Sequence, residues 1–155
     1  MTDELKKVYE SHKLLHRYFD KEVPKDLFRG QQPKEAKLGL PIIYPNPGFK
    51  KADGSIRPPD VLIEERDGIK FVAGCRTIRG KYRGISVFDK ANPALRSFKW
   101  YKLPAGVKIP EALAITQEDD YSDQPNHFTI APKDDMPLEL FESWLKILCD
   151  QLIPL

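Results

Sequence analysis

Three short segments of this 155-residue chain hold residue types that could bind or activate a small polar ligand. In Leu27-Phe28-Arg29-Gly30 an arginine stands between an apolar pair and a glycine. At a strand end its planar fork can project into a cleft and grip a phosphate or carboxylate through two parallel hydrogen bonds, although an arginine so placed can equally reach water. In Gly84-Ile85-Ser86-Val87-Phe88 the period of two of a strand sets Ile85 and Val87 on one face and Ser86 and Phe88 on the other. A hydroxyl two residues from a ring is a polar anchor beside a surface on which a planar heterocycle can stack, and Gly84 leaves room for a flat ligand or another backbone. A half-buried strand with an exposed serine shows the same pattern. In Gln124-Pro125-Asn126-His127-Phe128-Thr129-Ile130, His127 shares a strand face with Thr129. A lone histidine there suits proton transfer, and suits a structural hydrogen bond as well.

The elements that must position these residues follow from hydrophobic period and turn residues. Leu5, Val8, Tyr9, Leu15, Tyr18 and Phe19 recur at helical spacing and predict an amphipathic N-terminal helix from Asp3 to about Asp20, with His12 and His16 exposed on it. Asp26 to Pro33 reads as a short strand entering a turn. The Pro- and Gly-rich stretch up to Asp60 reads as a long irregular loop around one short strand at Ile42 to Tyr44. Arg66-Asp67-Gly68 turns a hairpin between Val61 to Ile63 and Ile69 to Ala73. Further strands are expected at the serine segment, from Phe98 to Leu103, before Gln117 and from Asn126 to Pro132. Leu138, Phe141, Trp144, Leu145, Leu148 and Leu152 then give a closing helix with Pro137 near its start. Helix, strands, helix is the order of an α+β domain built on small, mostly antiparallel sheets.

Composition narrows the field. The length predicts one domain over residues 1–155, and 14 prolines favour short elements joined by fixed turns over a helical bundle. Cys75 and Cys149 lie far apart with no second ligand at metal spacing, so reduced thiols are expected and no metal site, one disulfide being the alternative. No phosphate-binding loop, dinucleotide glycine fingerprint or zinc-binding histidine pair occurs. The first twenty residues lack the apolar core and cleavage site of a secretory signal, and no apolar run nears the roughly 20 residues of a membrane span. A cytoplasmic protein without membrane contact is therefore expected, one that reaches another cell only through a machine that reads no N-terminal signal. The net charge of +2 conceals an asymmetry: Arg66 to Lys102 holds ten basic residues against two acidic, and Pro110 to Leu155 holds ten acidic against two basic. That pattern suits intramolecular complementarity, or a phosphate-bearing ligand or nucleic acid on the basic section.

Taken in order, five stretches resemble a known family. Leu27 to Gly30, Arg57 to Ile69, Gly84 to Ala91, Leu103 to Gln117 and Gln124 to Leu145 are similar to motifs of the type six exported two effector toxins, whose domain is ADP-ribosyltransferase-like and is delivered into rival cells by the type VI secretion system. The similarity spans about Asp26 to Leu152, which leaves residues 1–22 as a helical extension of the core at 26–152. The resemblance implies two small sheets enclosing an NAD cleft, cleavage of the nicotinamide-ribose bond through an oxocarbenium-like transition state, and a cognate immunity or antitoxin protein as partner. It implies Arg29, or else Arg57, on the diphosphate, Ser86 with Gly84 at the carboxamide or ribose, and Phe88 or Tyr82 stacked on nicotinamide. His127 or Gln124 would orient the ribose or the acceptor. No glutamate falls in a recognisable catalytic motif; Glu111, Glu118 and Glu139 are available, the last at a helix start.

The sequence thus points to an NAD-dependent toxin acting in the cytosol of a target cell. A non-enzymatic module that holds nucleic acid or an acidic protein on its basic section is the alternative, and an RNA-cleaving toxin with His127 as its acid-base group is a weaker third reading.

Overall fold

The computed structural model describes residues 17–75, 84–92 and 94–155. Among them runs a seven-stranded sheet in the spatial order β1 (Arg17–Phe19), β9 (Leu113–Gln117), β10 (His127–Pro132), β7 (Ile85–Phe88), β2 (Leu27–Gln31), β8 (Lys99–Leu103) and β12 (Ile153–Pro154). Its neighbouring strands are antiparallel throughout. A second sheet of three strands joins β11 (Met136–Pro137), β6 (Ile69–Val72) and β5 (Ile63–Arg66), and β3 (Phe49–Lys50) pairs with β4 (Ile56–Arg57). Two helices are described, α1 (Pro33–Lys37) and α2 (Leu138–Cys149). This is an α+β architecture.

Burial follows the sequence period. Ile85 and Val87 of β7 are buried while Ser86 and Phe88 are half-exposed, as strand alternation requires. β9 is buried along its whole length and β10 along all but His127, because each lies inside the sheet between two neighbours. On α2, Phe141, Leu145 and Leu148 repeat at helical spacing and close over a core that includes Leu27, Ile85, Leu113, Phe128 and Ile130. Turn chemistry holds as well: Asp67 and Gly68, at φ 51° and 77°, form the two-residue left-handed turn of the hairpin. Its first arm is Ile63–Arg66 and not Val61 to Ile63, because a two-residue turn brings the ladder up to Arg66 and Ile69. Cys75 and Cys149 form no disulfide.

Three further expectations need correction. The N-terminal helix falls mostly on residues 1–16, outside the described residues, but Arg17–Phe19 at its end is a strand. Tyr18 is buried there and the segment pairs with Ile115 to Gln117; the open edge of β9 offers hydrogen bonds that override a helical period. Ile42 to Tyr44 forms no strand. Pro41 and Pro45 bracket it and donate no ladder hydrogen bond, so Ile43 is simply buried in the core from a loop. Pro33–Lys37, expected to be loop, is a short helix started by Pro33 and by the Glu35 carboxylate, which accepts the Gln32 N–H at 2.9 Å. In the basic section, Arg76, Arg79, Lys81 and Arg83 lie outside the described residues.

Gly84 answers to strand packing. A Cβ there would meet the Thr129 Cβ at 2.8 Å and the Ile130 carbonyl oxygen at 2.9 Å, so the space that its missing side chain leaves is filled by β10 and not by a ligand. Gly84→Ala is expected to lower stability by about 1–3 kcal/mol through overpacking, read by urea unfolding. Unchanged stability would mean that β7 and β10 sit further apart.

Candidate functional site

The site begins at a seam in the main sheet. β2 and β7 pair at Phe28 and Phe88, and just beyond that point a side chain bridges the two strands. Arg29 donates from Nη1 to the Ser86 carbonyl at 2.8 Å and from Nε to the Ile42 carbonyl at 3.1 Å. It shares a strand face with Leu27 and Gln31, both buried, and Gln31 in turn donates to the Leu40 carbonyl at 3.1 Å. One arginine therefore ties β2 to the serine strand and to the loop that follows α1. Burial lowers its pKa from the usual arginine value, against the fields of Asp60 and Glu35, which raise it.

Beside the seam opens a cavity of about 160 Å³, lined by Arg29, Gly30, Arg57, Ser86, Phe88 and Trp100 among others. Phe98 and Trp100 stack with centroids 6.3 Å apart, and a Cβ on Gly30 would approach their rings to 2.8 and 3.1 Å. Glycine is what lets two aromatic rings lie against β2. Arg57 stands at the rim, half-exposed, 3.8 Å from Asp60 and over the ring of Phe49. The cavity is smaller than a drug-sized site and offers one heterocycle an aromatic wall next to positive charge.

A second cluster is fixed by register. His127 lies opposite Phe88 and Thr129 opposite Ser86 across β10 and β7, while Thr129 lies opposite Thr116 across β10 and β9. Ser86, Phe88, His127, Thr129, Thr116 and, two residues on, Glu118 thus share one sheet face. His127 Nε2 is 2.8 Å from Ser86 Oγ, and its ring lies 5.5 Å from that of Phe88. Its Nδ1 is 3.6 Å from Glu118 Oε2. Glu118 Oε1 accepts the hydroxyls of Thr116, at 2.9 Å, and Thr129. Burial pushes the Glu118 carboxyl up to about 7 against those two hydrogen bonds, and burial lowers His127 against the opposing field of Asp119.

The sequence-derived candidates separate accordingly. Arg29, Arg57, Ser86 and Phe88 meet at one cavity, and His127 joins them through Ser86. Arg29 spends two of its donors on backbone carbonyls, so it builds the site as much as it faces it. Gln124 is exposed in the loop between β9 and β10, outside this cluster, and Tyr82 lies outside the described residues. Ile85, next to the serine, is fully buried in the core. Two participants had no assigned place in the sequence: Asp89 stood in no candidate set, and Glu118 was only one of three available glutamates. Asp89 accepts the Asn126 backbone N–H at 2.7 Å and side-chain amide at 2.9 Å and so holds the start of β10; burial would raise its pKa, but these bonds and Lys25 keep it below the usual carboxylate range. Glu118 is the other. Its alternation with Thr116 was visible, but its approach to His127 depends on a register that no local pattern reveals. Among the described residues no group of three or more His, Cys, Asp or Glu could hold a metal ion.

The arginine on the seam, the serine on the adjoining strand and the histidine beside it form one constellation, and comparison supplies its class: an ADP-ribosyltransferase-like toxin. The chain matches the family described as Tse2 ADP-ribosyltransferase toxin over residues 7–154, nearly its full length, and belongs to that family. No curated protein matches the chain.

The raised carboxyl gives a stability test. A folded-state pKa above the unfolded value means that Glu118 contributes stability fully below about 4.5, which is lost as pH rises through about 7. His127, shifted down, works oppositely: its contribution is present above its unfolded value and lost as pH falls through its folded one. Relative to wild type, Glu118→Gln should therefore gain stability between pH 5 and pH 8, by on the order of 3 kcal/mol, in urea unfolding curves. A difference that stays constant with pH would contradict a buried, high-pKa carboxyl.

Proposed function

We propose that this protein cleaves NAD at the nicotinamide-ribose bond and transfers ADP-ribose to a macromolecular acceptor in the cytosol of a target cell, after delivery by the type VI secretion system and under restraint by a cognate immunity protein. The observation that supports this reading most is the seam cavity. It combines an aromatic wall for a ring, guanidinium groups for a diphosphate, and a hydroxyl coupled to a histidine. Those are the three needs of a nicotinamide dinucleotide held for bond cleavage.

In this reading Phe88 and Trp100 flank the nicotinamide, and the Ser86 hydroxyl meets its carboxamide or the adjoining ribose. Arg57, at the rim and bound only loosely to Asp60, takes the diphosphate. Arg29 keeps the cavity open and adds positive charge behind it. Bond cleavage releases neutral nicotinamide and leaves positive charge on the ribose, so a rigid, partly dehydrated pocket that holds both fragments lowers the barrier by orientation. His127 steers Ser86 through their hydrogen bond.

Purified protein given radiolabelled NAD and a cell lysate should consume NAD and label a macromolecule. Ser86→Ala and His127→Ala should each lower turnover by about 10²–10⁴-fold with circular dichroism unchanged. Arg57→Ala should chiefly raise KM for NAD. An active toxin that cleaves RNA without NAD, or a wild-type protein that turns over no NAD in any lysate, would overturn this reading.

A further inference from the structure

We propose that Glu118 is a positioning residue for this reaction: its Oε2 receives the Nδ1–H of His127 and so keeps Nε2 unprotonated and aimed at the Ser86 hydroxyl. The proposal rests on the reading of Ser86 and His127 as working groups given above.

The backbone fixes the pair first. Glu118 N–H donates to the His127 carbonyl at 3.0 Å, and the His127 N–H donates to the Asp119 carboxylate at 2.8 Å. Both residues are thereby locked in register with their side chains on one face. Glu118 Oε1 is occupied by the two threonine hydroxyls, whereas Oε2 is buried and has no hydrogen-bond partner among the described residues. A buried polar atom rarely stays so, and His127 Nδ1 stands 3.6 Å away. That is longer than a hydrogen bond, and contacts of this kind commonly tighten in a substrate complex.

Proton counting selects the tautomer. With the proton on Nδ1, the ring donates to Glu118 Oε2 and accepts the Ser86 O–H at Nε2. With the proton on Nε2, the Nδ1 lone pair would face a carboxylate oxygen. Thr116 and Thr129 Oγ1 lie 2.6 Å apart, and both touch Glu118 Oε1. These contacts engage Oε1 and leave Oε2 as the acceptor for the ring. Asp119, the neighbouring charged group, acts on both partners and raises both pKa values.

The consequence reaches the cavity. In the Nδ1–H tautomer Ser86 spends its proton on the ring and turns oxygen lone pairs toward a ligand, which suits the amide or hydroxyl donors of a nicotinamide riboside. In the other tautomer it would offer a proton instead. Glu118 thus decides which hydrogen-bonding partner the site accepts without touching the ligand.

Nitrogen NMR of the intact protein labelled with ¹⁵N-histidine tests this without NAD. A His127→Gln variant identifies the His127 signals apart from His12 and His16. The wild-type protein is expected to show protonated Nδ1 and bare Nε2 above neutral pH. Glu118→Gln and the shorter Glu118→Asp should both move His127 toward the other tautomer. Where NAD turnover is measurable, Glu118→Gln should lower kcat about 10²-fold with KM for NAD unchanged. A wild-type ring protonated at Nε2 would overturn the proposal, even if neither variant folds, and so would variants whose His127 signals match wild type. Absence of NAD turnover would strike the proposed reaction and leave the tautomer result to decide the role of Glu118.

Discussion

The site depends on what happens where β2 meets β7. Two antiparallel strands normally zip together through backbone hydrogen bonds, yet here a guanidinium stands beside the single register pair and bridges to the Ser86 carbonyl. A charged, five-donor group is unusual in such a place, because its burial costs solvation that only several well-made hydrogen bonds offset. The Ser86 and Ile42 carbonyls supply two of them. In return the serine strand is held against the rest of the sheet while a cleft stays open on the face that carries Ser86, Phe88 and Trp100. Removing this arginine would leave buried carbonyls unpaired and free the loop that walls the cavity, so fold and site cannot be separated at this position.

The other half of the site rests on register. β10 sits between β7 and β9, and a slip by one residue would turn His127 and Thr129 away from Ser86 and Glu118. Gly84, packed against Thr129 and Ile130, and Asp89, bound to Asn126, pin that register at its two ends. The pinned ends explain how a carboxyl can be kept in a place that disfavours its charge. The hydrogen bonds from Thr116 and Thr129 offset part of that cost.

Much of this was legible in the chain. Alternation at Ile85 to Phe88 placed the serine and the ring on one face, the Asp-Gly pair marked a hairpin, and the apolar period from Leu138 fixed the closing helix. The family resemblance implies a shared cleft for Arg29, Ser86 and His127; Arg29 and Ser86 line one cavity, and His127 reaches it through its hydrogen bond with Ser86. What escaped was set by partners distant in sequence. Arg29 looked like a ligand-gripping fork and proves to be held largely by backbone. Gly84 looked like room for a ligand and proves to be room for a strand. Glu118 had no motif, because only the pairing of β9 with β10 carries it to His127, and Arg17 to Phe19 follows the edge of β9 in place of its own helical period.

The central claim is that the cavity at the arginine-bridged seam is where nicotinamide binds. A crystal structure of the protein with a non-cleavable NAD analogue tests it most directly. The account predicts the nicotinamide ring between Phe88 and Trp100, with Ser86 Oγ on its carboxamide or ribose and Arg57 turned to the diphosphate. An analogue seated elsewhere, such as the cavity of about 330 Å³ between α2 and Pro41 to Pro45, with the seam left empty, would contradict it.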